Sequence, residues 1–322
     1  MNKKVSFLIE RPSWVRQDTT DDHVVYYNNI EAVLRKMGHP YKVIPVKNIT
    51  MIGNTPKYDG IFLSFHTSYT QPNLWNLKKG YIRLYMNFDQ FGYSGWSEMA
   101  KSKQLFELSQ QTDKNKATDF VNSFIKEYKA SNGSKYVQSS KPINFDQPFL
   151  FVACQRPLDT VSQLARIGTY ELASLVAHKL STEIDIVIKL HPKEVSIPST
   201  ESIQFINDLK DLPNVYFSDA SIHKLIPKSS GVITVNSGTG FEALLYGKHV
   251  FTSGDSDYEW VTHKLVTEQD IVNIPNIIKS SPNVDSINKF LFYMMTEHFV
   301  KADDLNSIQK HLKRAINEYK KL

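Results

Sequence analysis

VITVNSGTGFEALLYGK, residues 232–248, sets Asn, Ser, Gly, Thr and Gly between a β-branched hydrophobic run and an apolar helical run. A strand that turns directly into a helix through small polar residues is the signature of an α/β sheet, in which ligands gather outside the carboxyl ends of the strands. Ser237, Gly238, Thr239 and Gly240 form that turn. Glycine lets the backbone approach a ligand closely, and the first helical turn leaves N–H groups that favour a phosphate or carboxylate. The same residues also suit a plain capped helix start. The loop is neither a Walker loop, since no GK[ST] follows, nor the dinucleotide fingerprint, whose spacing differs. Gly247 is expected to close the helix in the left-handed region.

The neighbouring segments share this texture. FLFVACQ (149–155), IDIVIKL (184–190), NVYFSD (214–219) and KHVFTSG (248–254) read as buried strands, with TYELASLVAHKL (169–180) and SIHKLIPKS (221–229) as helices between them. Such alternation predicts a mostly parallel sheet covered by helices. The first half has a similar order in KVSFLIE, the helical run YYNNIEAVLRKMGH stopped near Gly38, YKVIPV and YDGIFLSF. In the polar stretch 101–142, Phe120, Phe124 and Tyr128 recur at helical spacing, and SNGSK with Pro142 suggests a domain boundary. The expected layout is an N-terminal α/β domain over 1–142, a ligand-binding domain over 143–284, and a helical tail over 285–322 that packs back on the first domain.

Composition narrows the function. The 322 residues are 41% hydrophobic and 22% charged, enough for a sizeable core. The net charge of +5, from 38 basic against 33 acidic residues, suits an anionic substrate or membrane surface but not a nucleic-acid protein. Cys154, the single cysteine, excludes an internal disulfide and reads as a buried small hydrophobe. The N-terminus is too weakly apolar for a secretory signal, and no run spans a membrane, so a cytoplasmic site with peripheral membrane contact left open is expected. The ten histidines form no HExxH or Cys/His set, and neither metal nor cofactor is expected. Asp255 and Asp257 read equally as a cation site or a polar loop. NSGTG also lacks the GxSxG nucleophile elbow.

A second feature joins the SGTG turn. The strand 184–190 ends at His191, Pro192 and Lys193, whose imidazole and ammonium can contact a phosphate at a strand end. Gln155 and Arg156 follow the first strand of the second half, with Asp159 near enough in sequence to pair with Arg156. Glu242, one turn from Gly238, is placed either to receive ribose hydroxyls or to face solvent.

These residues carry a resemblance. FVACQRPLDTVSQ (151–163), IKLHPKE (188–194), VNSGTGFEALLYGKHVFTSGDSDY (235–258) and FDQFGYSGWSE (88–98) are similar to segments of the capsule polysaccharide biosynthesis proteins, which include bacterial Kdo transferases. The likeness spans roughly residues 80–260. It implies a glycosyltransferase of two Rossmann-like domains in a GT-B-type arrangement. It also implies a nucleotide-sugar donor, CMP-Kdo above all, and a saccharide or glycolipid acceptor. His191, Ser237 and Thr239 would contact the donor phosphate, with Lys193 adding charge. Asp89, at the end of a strand-like run, is then the expected nucleophile of a retaining transfer, with Glu98 and Glu10 as alternatives. Tyr93 and Trp96 read as core aromatics or as a wall against a sugar ring. Asp21, Asp22 and His23 read as a polar loop cluster, and Arg11, Arg16 and Arg83 as surface or acceptor-steering cations. Sialyl- or polyol-phosphate transfer, a nucleotide-sugar epimerase and a non-catalytic assembly scaffold stay open beside this reading.

Overall fold

The computed structural model describes residues 4–13, 21–46, 58–68, 70–143, 145 and 147–322. Arg16 lies outside the described residues. The chain forms two compact units, Met1–Lys103 with Tyr293–Leu322, and Gln104–Phe292. Each is an α/β unit built on a six-stranded sheet, the two Rossmann-like layers expected from the sequence.

The first unit contains β1 (Phe7–Pro12), β2 (Tyr41–Val46), β3 (Ile61–Phe65), β4 (Leu74–Lys79), β5 (Tyr85–Asp89) and, from the far end of the chain, β12 (Val300–Lys301). Their order is β12-β5-β4-β3-β1-β2. The pairs β1/β2, β1/β3 and β3/β4 are parallel, whereas β4/β5 and β5/β12 are antiparallel. The run GYIRLYMNF is therefore not one strand. The chain reverses at 80–84, where Leu84 takes a φ of 65°, and only Tyr85–Asp89 continues as strand. LWNLKK was not anticipated as a strand, because buried Asn76 and two lysines break its apolar pattern. The helix Asp22–Met37 closes at Gly38, φ 72°, whose N–H reaches Arg35 O. The helix Leu305–Tyr319 packs on it, placing Ile308, Leu312 and Ile316 in the same core as Phe7, Ile30 and Leu63.

The second unit contains β6 (Phe149–Ala153), β7 (Asp185–Lys189), β8 (Val215–Phe217), β9 (Ser229–Thr234), β10 (His249–Thr252) and β11 (His263–Lys264), in the order β11-β10-β9-β6-β7-β8. Every pairing is parallel. Fully buried FLFVA and near-continuous DIVIK suit a sheet covered on both faces. Cys154 lies in this core, and burial pushes its thiol up to about 12.

The division differs from the expected boundary at 142/143. The helix Lys114–Ala130 belongs to the second unit because its aromatic stripe packs there. Phe120 meets Phe292 edge-on at 5.2 Å, and Tyr128 hydrogen-bonds Glu242 at 2.7 Å. The sequence reading kept this amphipathic helix in the first domain and set the boundary after it, but its aromatic stripe decides where it packs. The tail is likewise split, with Val284–Tyr293 opening in the second unit and 293–322 completing the first.

Candidate active site

Three loops leave the carboxyl ends of β7, β6 and β9, which are neighbours in that order. Two strand spacings separate the β7 and β9 ends by about 10 Å. Bonds at the end of β6 tie them together. Cys154 N donates to Lys189 O at 2.9 Å, Thr234 Oγ1 to Ala153 O at 2.8 Å, and Asn236 N to Gln155 Oε1 at 3.2 Å. Gln155, 4% exposed, thus acts as a brace between strands. Asn236 is buried too, and its amide donates to Val161 O and Asp255 O. Arg156 pairs with Glu194 at 3.2 Å, not with Asp159 as expected, because Glu194 faces it from the helix that His191 starts.

His191 caps that helix. Its Nδ1 accepts from Lys193 N–H at 3.1 Å. Burial pushes the imidazole below its ordinary value, Asp159 opposes, and Lys193, Arg156 and Lys135 add to the lowering. At neutral pH the ring is therefore uncharged, with its proton on Nε2. The sequence reading placed the His191 imidazole against a phosphate without fixing its charge. The geometry makes it a neutral donor. Lys193 itself is exposed.

Ser237 caps the helix Gly238–Leu245, accepting from Thr239 N–H at 3.3 Å, and Ser237, Gly238 and Thr239 are all half-buried at the surface of the unit. Gly240 differs from them. A Cβ there would lie 2.6 Å from the Tyr258 hydroxyl, which donates to Ser237 O at 2.7 Å. Its glycine serves packing under the turn rather than ligand approach. Gly247 ends the helix with φ 64°, as expected. Glu242 neither faces solvent nor points out for a ribose. It is 3% exposed and accepts from Tyr128 Oη at 2.7 Å and Ser134 Oγ at 2.9 Å. Burial pushes its carboxyl up to about 7, against the two hydrogen bonds and the charge of Lys135.

A cavity of about 240 Å³ opens beside Gln155 and Val235, floored by Gly168 and Thr169 at the start of the helix Thr169–Leu180. It is smaller than a whole-ligand pocket and fits one ring of a ligand. Asp255 pairs with Arg166, and Asp257 is fully buried. Among the described residues no cluster of three His, Cys, Asp or Glu is arranged for a metal.

In the first unit, Asp89 ends β5 and is 2% exposed. Its Oδ1 accepts from the N–H of Phe91 at 2.6 Å and Gly92 at 3.2 Å, and its Oδ2 from Glu98 N–H at 2.9 Å. Burial pushes it up to about 6 despite those bonds. His298 stands 3.9 Å from Oδ2, but burial, then Arg314 and His311, push it down to about 3, so this contact is with a neutral ring and is not an ion pair. Asp89 organises the loop 89–98. Glu98 starts the next helix, is 28% exposed and pairs with Arg314. Glu10 is buried, accepting from Ser64 Oγ at 2.8 Å and Phe65 N at 3.0 Å.

Tyr93 is a core aromatic under the Lys78 ammonium, 3.6 Å from its ring centre, and half-buried Trp96 meets it edge-on. Asp21, Asp22 and His23 are not a loop cluster. Asp21 caps the helix Asp22–Met37, and buried Asp22 holds Lys79 at 2.9 Å and Arg83 at 3.3 Å. Arg11 pairs with Glu31. Both described steering cations are thus engaged within the unit. Lys135 and Tyr136, whose ring meets His191 edge-on at 4.8 Å, were missed because SNGSK read as a domain boundary.

Fold and site define an α/β protein of two Rossmann-like units, with polar nests at the strand ends of the second. The capsule polysaccharide biosynthesis protein family matches residues 169–303, less than half of the chain. That span takes in IKLHPKE and the SGTG stretch, whereas the segments at 88–98 and 151–163 fall outside it. Protein FixF of Sinorhizobium fredii (strain NBRC 101917 / NGR234) is 33% identical over 124 residues, and the match spans 36% of this chain and only 29% of that protein. Among solved structures, the beta Kdo 2,7 transferase of Thermosulfurimonas dismutans KpsC aligns with a TM-score of 0.57 at 13% identity, over 96% of this chain and 99% of that one. The beta Kdo 2,4 transferase of the same KpsC aligns with a TM-score of 0.53 at 14% identity, over 90% and 99%. The resemblance to the capsule polysaccharide biosynthesis proteins therefore holds, by sequence over 169–303 and by fold over nearly the whole chain.

Proposed function

We propose that the protein is a glycosyltransferase of bacterial surface polysaccharide synthesis that transfers Kdo from CMP-Kdo to a saccharide or glycolipid acceptor, with retention. One observation carries this reading. A neutral His191 with its proton on Nε2 and the Ser237-capped helix stand at strand ends on either side of β6, in a fold shared with two Kdo transferases. Cleavage of the donor puts negative charge on the CMP phosphate, and fixed donors stabilise that charge more in the transition state than in the ground state. His191 Nε2–H, the Ser237 and Thr239 hydroxyls and the N-terminus of Gly238–Leu245 supply such donors, with Lys193 adding charge at the rim. The 240 Å³ cavity beside Gln155 takes the cytosine or the ribose. Gln155 and Glu242 shape this site from within, and Arg156 is held to its edge by Glu194.

Retention can proceed through a carboxylate that attacks the anomeric carbon and is later displaced. Both oxygens of Asp89 are committed to backbone N–H groups, so within this reading the attacking group passes to Glu98, and Asp89 sets the loop that presents it. Among the described residues no helix is long and apolar enough to cross a membrane, and contact with the membrane face where a glycolipid acceptor resides belongs to the proposal.

The test is calorimetric titration of the full chain with CMP, CDP, UMP and GDP, repeated on His191→Ala, followed by transfer assays with CMP-Kdo. Selective CMP binding that weakens in the variant, with turnover lost in Glu98→Gln, supports the reading. Preference for UMP or GDP moves the donor class. CMP binding without turnover favours a sialyl- or polyol-phosphate transferase, and absence of all nucleotide binding favours a non-catalytic scaffold.

A further inference from the structure

We propose that Tyr136 is a positioning residue of the donor site, and that residues 131–140, SNGSKYVQSS, are ordered so as to hold its ring against His191. The assignment rests on the transferase reading above and deepens it.

His191 must aim Nε2–H at the donor phosphate, and its own helix fixes only part of the ring. Nδ1 accepts from Lys193 N–H at 3.1 Å, a bond to the first turn of the short helix Pro192–Ser196. The torsion that turns an imidazole about its Cβ–Cγ bond is soft. The second hold comes from outside that helix. The Tyr136 ring stands 4.8 Å from the imidazole, centre to centre, and at 83° to it. A hydrogen bond at one ring nitrogen and a perpendicular ring against the imidazole together fix its tilt and its rotation. A donor set before the ligand arrives needs no reorganisation as charge develops on the phosphate.

Tyr136 is itself placed by long-range bonds, since 131–140 contains no helix and only an isolated bridge. The Gln138 side chain acts in two directions. Its amide N–H donates to Tyr136 O at 2.9 Å, and its Oε1 accepts from Ile222 N–H at 3.0 Å. Ser139 bridges to Ala220, and the Lys224 ammonium donates to Ser140 O and Lys141 O at 2.7 and 2.8 Å. Ahead of Tyr136, Ser221 Oγ donates to Asn132 Oδ1 at 2.8 Å and Ser134 Oγ to Glu242 at 2.9 Å. These contacts close on the strand that leads to His191. Lys189, the last residue of β7, donates through its ammonium to the carbonyls of Asp219 and Ala220 at 2.9 and 2.8 Å. Tyr136 and His191 are thus held in one frame within the second unit. Ordering such a stretch costs conformational entropy. Val137 is 99% exposed and Lys135 is exposed, whereas Tyr136 between them is half-buried. The single aromatic ring of the segment is the one set against the imidazole.

The experiment follows the His191 ring by NMR in the full chain with labelled histidine, as wild type, Tyr136→Phe and Tyr136→Ala. The His191 signal is the one lost in His191→Ala. CMP titrations accompany it at about pH 8, where an imidazole is neutral in every variant. Tyr136 lies outside the hydrophobic core of its unit, so both variants are expected to fold. Burial lowers the His191 imidazole, Asp159 raises it, and Lys193, Arg156 and Lys135 lower it further. Neither variant alters those charges. Loss of the ring's cover should therefore raise the midpoint in Tyr136→Ala toward the ordinary 6.5, while Tyr136→Phe keeps the wild-type midpoint. CMP affinity should fall about tenfold in Tyr136→Ala and stay within about twofold of wild type in Tyr136→Phe. Unchanged CMP affinity in Tyr136→Ala, while His191→Ala weakens it, overturns the assignment and leaves the transferase reading standing. A fall in affinity without a shift of the midpoint places Tyr136 on the ligand rather than on His191 and overturns it too. Tyr136→Phe behaving as Tyr136→Ala does the same, since the hydroxyl and not the ring would then act. A wild-type chain that binds no nucleotide overturns both readings.

Discussion

Glu242 offers the sharpest test of how the second unit is held together. Its carboxyl is 3% exposed, and burial raises it from an ordinary 4.5 to about 7. At 1.36 kcal/mol for each pH unit, the ionised form is disfavoured by about 3 kcal/mol in the folded protein. Because the folded value lies above the unfolded one, the folded state binds the proton more tightly. The group's contribution to stability is therefore full below about 4.5 and is lost as pH rises through about 7. Glu242→Gln keeps an oxygen that accepts from Tyr128 and Ser134 but carries no charge to desolvate. Its new N–H₂ group costs about 1 kcal/mol if it finds no acceptor. The variant should thus be about 2 kcal/mol more stable than wild type at pH 9 and no more stable at pH 4.5. Urea unfolding at pH 4.5, 7 and 9, with hydrogen exchange of the helix Gly238–Leu245 to localise the effect, measures this. A stability difference that stays constant from pH 4.5 to 9, or a variant that loses ground as pH rises, refutes the reasoning.

Three other outcomes are expected. Gly240→Ala drives a methyl against the buried Tyr258 hydroxyl at 2.6 Å and should cost about 1–3 kcal/mol in thermal unfolding, while displacing Ser237 enough to weaken nucleotide binding. Asp22 is pushed up by burial, but the bonds from Lys79, Leu84 and Arg83 outweigh that and hold it below its ordinary value, so its stabilisation is present above pH 3.8 and is lost as pH falls. Asp22→Asn should cost roughly 1–3 kcal/mol at pH 7 and should reduce the acid sensitivity of the first unit, as read by circular dichroism between pH 2 and 7. Asp89→Asn turns an N–H₂ group toward backbone donors that now meet a carboxylate, so it should lower the melting temperature together with turnover. A fully stable Asp89→Asn protein without turnover would return Asp89 to the nucleophile's place.

Local chemistry made much of the second unit readable. Short apolar runs such as FLFVA and IVI, bounded by turn residues, read as buried strands of a covered sheet, and Gly247 and Gly38 stop helices because left-handed backbone suits a residue without a side chain. Ser237 was legible as a helix cap and His191 as a strand-end residue, since residue type and position fix those roles locally, whereas the capping role of His191 came only with the structure.

What lay beyond the sequence depended on partners far along the chain. Glu242 has the same letters before it whether it faces water or Tyr128, 114 residues away, and only packing made it a buried anchor. Asp89 was chosen for its strand-end position, and the three amides that occupy it come from a loop whose course the sequence does not state. The polar stretch 101–142 was placed in the first domain, with the boundary at SNGSK and Pro142, because composition reports the exposed face of a helix, whereas domain membership is set by the few aromatic residues on the other face. The charge of His191 was equally undetermined, because an imidazole titrates according to its burial and the cations around it, and those are fixed only when strands β6, β7 and β9 are brought side by side.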